Sequence, residues 1–129
     1  MASLDTNILL RLILKDVPHQ LAKAEALIKT NKTLTINDLA ITETVFVLEK
    51  VVGHSRADIA KLITALTNNQ YLEINRLTIT KTLNHYLTYP ALSFNDCYLA
   101  IAAQQASKTP LYTFDKALAK NLPKLASEF

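Results

Sequence analysis

The chain has 129 residues, enough for one domain whose core folds without disulfide or metal staples. Half of it is hydrophobic and only 19% charged, with one Gly and four Pro, which excludes a long disordered tail or a low-complexity linker. A formal charge of +3 implies no more than a mild preference for polyanions. The single Cys97 cannot form an internal disulfide, no basic segment precedes Asp5, and no uncharged apolar run reaches the 18 residues of a membrane span. The expectation is one domain over residues 1–129, soluble, cytoplasmic and without a membrane partner.

In chain order, Ala2 to Asp5 reads as a short buried strand that runs into an acid, and Ile8, Leu9, Leu12 and Ile13 then repeat at helical spacing from Thr6. Pro18 opens a second helix striped by Leu21, Ala24, Ala26, Leu27 and Ile28, with Glu25 and Lys29 spaced as an i,i+4 pair. Thr33 to Ile36 alternates as a strand, and Asn37 or Asp38 caps a helix from Leu39 to Val52 that is apolar nearly all round and so is buried or part of an interface. Gly53 ends that helix, and Ser55 to Asp58 is a capping box for the next, through Asn68. Tyr71 to Ile74 is a third strand, and Thr78 to Leu87 a helix that stops before Pro90. Ser93-Phe94-Asn95-Asp96 opens the helix Cys97 to Ala106, whose alanines suit close packing on a sheet. Leu111 to Phe114 is a fourth strand with Asp115 at its end, Lys116 to Asn121 a short helix, and Leu125 to Phe129 a fifth strand.

Most of the eleven acids have local explanations as caps, turn residues or i,i+4 partners. Four stand out. Asp5, Asp96 and Asp115 each fall at the mouth of an element in a βα alternation, where ligands of parallel sheets collect, and Glu43 lies early in a post-strand helix without an intrahelical cation. Each of the three Asp also fits a helix cap, and Glu43 also fits a solvated stripe with Lys50. Four carboxylates facing one crevice repel unless protonated or neutralised by a cation, and oxygen donors without His or Cys point to Mg²⁺ or Mn²⁺. His19, His54, His85 and Cys97 show no zinc-ligand spacing. Setting those four acids aside leaves fourteen basic residues against seven acidic, so the rim attracts polyanions, with Arg11, Lys15, Lys116 and Lys120 near the mouth in sequence. Phosphodiester hydrolysis joins these parts.

Four motifs in order carry a family resemblance: Leu4-Asp5-Thr6-Asn7-Ile8-Leu9-Leu10-Arg11-Leu12, Thr42-Glu43, Phe94-Asn95-Asp96 before Leu99-Ala100-Ile101-Ala102-Ala103, and Leu111-Tyr112-Thr113-Phe114-Asp115. Together they resemble the PIN-domain ribonucleases, and among them the VapC-type toxins of type II toxin–antitoxin systems. Tyr98 departs from the pattern, which often has a small residue two places after the acid. The resemblance implies a three-layer α/β/α domain with a parallel sheet of four or five strands, and Mg²⁺- or Mn²⁺-dependent endonucleolytic cleavage of RNA. It also implies a small antitoxin partner and a homodimer. Metal ligation or water activation is carried onto Asp5, Glu43, Asp96 and Asp115, with Asn7 and Thr113 as supporting groups. A PIN-type nuclease of ordinary RNA processing would use the same residues, and a catalytically silent RNA-binding or scaffold module would not need all four acids.

Overall fold

The computed structural model describes residues 2–31 and 33–129. The chain divides into two compact units, Met1–Asn75 and Arg76–Phe129. It is an α/β protein of the expected three-layer class, and every strand pairing among the described residues is parallel. All five expected strands form, but in place of one sheet of four or five they make a three-stranded sheet in the first unit and a two-stranded sheet in the second.

In the first unit β1 (Ala2–Ser3), β2 (Leu34–Thr35) and β3 (Leu72–Glu73) lie in that order, with Ala2, Leu34 and Leu72 in register and Ser3, Thr35 and Glu73 one step on. Backbone bonds extend the ladder past the strand ends, from Leu4 N–H to Thr35 C=O at 2.9 Å and from Ile36 N–H to Glu73 C=O at 3.0 Å. The expectation that β1 is buried is corrected: Ala2 and Ser3 are exposed, because this two-residue strand is an edge, and burial begins only at Leu4. The centre β2 supplies the buried Leu34, with Ile36 just beyond it. Between strands run α1 (Thr6–Leu14), α2 (Pro18–Thr30), α3 (Asp38–Phe46) and α4 (Arg56–Thr67). Each start has a local cause: Asp5, Asn37 and Ser55 accept the backbone N–H three residues on, and Pro18 sits in the first turn of α2.

The single helix expected over Leu39 to Val52 is also corrected. After Phe46 the chain widens into a π-helical segment, Val47–Val52, closed by Gly53 at φ 88° with its N–H on Leu48 C=O, five residues back. Ile41, Val45 and Leu48 are buried, while Leu39 and Phe46 of α3 and Val51 and Val52 of the π-helical segment face solvent. Glu49, without an evident role in the sequence, pairs with Arg56 across the connection at 3.5 Å. Glu25 and Lys29 close no ion pair among the described residues.

The second unit holds α5 (Arg76–Thr88), α6 (Phe94–Gln105), β4 (Leu111–Thr113), α7 (Lys116–Asn121) and β5 (Ala126–Glu128). Helices α5 and α6 pack on each other, with Tyr86 and Phe94 meeting edge to face at 5.5 Å between ring centres. The buried stripe of α6 is Phe94, Cys97, Ala100 and Ile101, whereas Ala106 lies past the helix end and is exposed. Strand β4 pairs with β5 from Leu111 and Ala126 to Thr113 and Glu128.

Candidate active site

Asp5 ends the first strand–helix corner. Its Oδ1 accepts the N–H of Ile8 at 3.1 Å, so it does cap α1, and its side chain is exposed. The cap does not exhaust it, since a carboxylate accepts on two oxygens and only one is engaged among the described residues. The next residue, Thr6, reaches across 37 positions of sequence: its hydroxyl donates to Glu43 Oε2 at 2.8 Å. That bond answers what an acid in an apolar helix is doing. Glu43 is exposed on α3 and held against the first turn of α1, beside Asp5. The sequence reading did not single out Thr6 as the partner of Glu43; its place between Asp5 and Asn7 was the available signal. Asn7, in the first turn of α1, is exposed and lines a cavity of about 330 Å³ together with Asp5, Arg11, Gln20, Lys23 and Leu27.

The second unit treats its acids differently. Asp96 closes a reciprocal capping box: Ser93 Oγ accepts the Asp96 N–H at 3.1 Å and Asp96 Oδ2 accepts the Ser93 N–H at 3.2 Å. Asp115 Oδ1 accepts the Leu118 N–H at 3.1 Å, while its own N–H is donated to Thr113 Oγ1 at 2.9 Å. Thr113 is therefore a positioning residue for the Asp115 backbone. All three cap expectations hold locally.

The basic residues are placed unequally. Lys116 and Lys120 are exposed on α7, directly after Asp115. Arg11 is one-quarter exposed and its Nη1 pairs with Asp16 at 3.3 Å, while its Nε is buried with no hydrogen-bond partner among the described residues. Lys15 forms the C-cap of α1 at φ 54°, roughly 15 Å along the helix axis from Asp5 at 1.5 Å per residue.

Oxygen donors alone suit Mg²⁺ or Mn²⁺, and Mg²⁺ is commonly held by one or two carboxylates with waters completing its shell. Asp5 and Glu43 are two carboxylates linked through Thr6, which follows Asp5 in the chain and bonds Glu43. Among the described residues no group of three or more His, Cys, Asp and Glu side chains is gathered as a ready-made cage.

A parallel α/β chain with carboxylates at its strand–helix mouths falls in the class that meets its ligands at the carboxyl ends of strands. Residues 2–122 match the PIN domain model, through both units, and the chain belongs to the PIN domain family. Membership indicates a nuclease, and hence a hydrolase, of a kind that typically uses divalent metal. None of the curated proteins matches the chain. No helix among the described residues is long and apolar enough to cross a membrane.

Proposed function

We propose that the protein is a Mg²⁺- or Mn²⁺-dependent endoribonuclease, the toxin of a type II toxin–antitoxin pair, with Asp5, Glu43, Asp96 and Asp115 as its metal-holding acids. The observation that carries the reading is the Thr6 bond to Glu43, which sets a second carboxylate beside the Asp5 corner from a different helix. A bound divalent ion would acidify water and withdraw charge from the phosphoryl oxygens. The protein's part is to hold donors in place. Asp5 is oriented by the Ile8 N–H and Glu43 by the Thr6 hydroxyl, so neither has to be ordered when RNA arrives. Asp96 is held in its capping box and Asp115 by Leu118 and Thr113, for the same end. Asn7 offers an amide at the Asp5 mouth, and Lys116 and Lys120 supply charge for phosphates beside Asp115.

The exposed Leu39, Phe46, Val51 and Val52 support a protein interface, in keeping with a homodimer. A small antitoxin would quench the site by placing an Arg guanidinium on the carboxylates. The deciding experiment incubates chelator-stripped protein with single-stranded RNA and adds Mg²⁺ or Mn²⁺. Internal cleavage that requires the ion and is suppressed by a co-purifying small protein supports the reading. Cleavage unaffected by chelation, or no cleavage with either ion, overturns it.

A further inference from the structure

Three aromatic rings stand on the surface next to Asp115. Tyr112 is 67% exposed, Phe114 79% and Phe129 79%. They are not scattered: Phe129 meets Phe114 at 5.6 Å and Tyr112 at 6.2 Å between ring centres, both edge to face. The backbone explains the cluster. Tyr112 lies on β4 and Phe114 at the bend that follows it, while the Thr113 hydroxyl between them accepts the Asp115 N–H. The Phe129 N–H donates to Thr113 C=O at 2.8 Å, which pins that ring beside the other two. Glu128, one residue earlier, is exposed and in register with Thr113.

Such a face needs an occupant, and the charges around it favour a nucleic acid. Lys116 lies two residues after Phe114, and Lys120 and Lys124 are likewise exposed. Rings that present their π-faces, with lysines alongside, are how single-stranded nucleic acids are held without regard to sequence: bases stack and the backbone meets cations. A duplex, whose bases are already stacked on one another, gains nothing from them. We propose that Tyr112, Phe114 and Phe129 form a stacking platform for unpaired bases of an RNA strand, flanking the phosphate addressed by Asp115. This rests on the nuclease reading, and it adds the place where unpaired bases are held.

The chain has no Trp, so Tyr112→Trp places one reporter on the platform. Titration in chelator with a ten-nucleotide single-stranded RNA should quench its fluorescence, with Kd at least tenfold below that for the same sequence as a duplex. Phe114→Leu and Phe129→Leu, measured by anisotropy of labelled RNA, should each raise Kd about tenfold, whereas Phe114→Tyr retains binding. Circular dichroism of each variant checks that the fold is kept. Equal affinity for duplex, or Phe114→Leu binding RNA like the parent, overturns the platform. So does a Phe114→Leu protein that keeps its RNA affinity but dissociates in analytical ultracentrifugation, which makes the face a protein interface. The two readings fail separately: quenching and ring dependence without cleavage in Mn²⁺ sinks only the nuclease, and cleavage with a Kd indifferent to the rings sinks only the platform.

Discussion

The two units hold their acids by opposite means. In the second, Asp96 and Asp115 are fixed by partners no more than three residues away, Ser93, Thr113 and Leu118. In the first, Asp5 is capped locally but Glu43 is fixed by a hydroxyl 37 positions distant, brought there because α1 and α3 pack together. Local fixation survives any rearrangement that keeps the helix start. Fixation across the fold reports on the packing of two helices, and so couples the placement of Glu43 to the integrity of the core around Leu9, Leu10, Ile41 and Val45.

The largest test of the contrast asks whether both units contribute ligands. Asp5→Asn and Asp96→Asn should each lower metal-dependent RNA cleavage by more than about a hundredfold, since each removes a charged donor, with circular dichroism unchanged because Asn caps nearly as well as Asp. Full activity in Asp96→Asn would confine the chemistry to the Asp5 and Glu43 pair. Thermal melts measure the same division without turnover. Mn²⁺ at a hundredfold excess over Kd should stabilise the parent by about 2.7 kcal/mol, a shift of about 10 °C for a chain of this size. Asp5→Asn should leave the metal-free midpoint unchanged or higher, by relieving like-charge repulsion, yet shrink the increment. An increment that Asp96→Asn leaves whole assigns the ion to the first unit alone.

Thr6→Val keeps the volume and removes the hydroxyl that holds Glu43. Cleavage should fall by about ten- to a hundredfold, as for groups that orient a metal ligand, with little change in melting because the bond lies at the surface. A rate equal to the parent's would mean that Glu43 needs no orientation. The smallest effect belongs to the local device: Ser93→Ala opens the capping box of α6 and should cost about 1 kcal/mol in urea denaturation. Its effect on cleavage should stay below that of Thr6→Val. Should it instead match Thr6→Val, the capping box matters to the site as much as the long-range bond does.

What the sequence determined by itself was whatever depends on near neighbours. Caps at Asp5, Asn37, Ser55 and Asp115, the capping box at Ser93 and Asp96, Pro18 at a helix start and Gly53 at a helix end all follow from residues within one turn of chain. The second strand was legible through the alternation of Thr33 to Ile36, and the four motifs through their order. Hidden in it was whatever depends on which elements meet. An apolar pattern cannot say that a helix will widen at Val47, because i→i+4 and i→i+5 bonding differ by a tertiary choice of face. Nor can it say that the first strand lies at an exposed edge, since pairing is decided by distant strands. The Thr6 bond to Glu43, and the meeting of Tyr112, Phe114 and Phe129 in one patch, arise only when the chain folds back, because hydrogen bonds and ring contacts act over a few ångströms and sequence separation does not limit them.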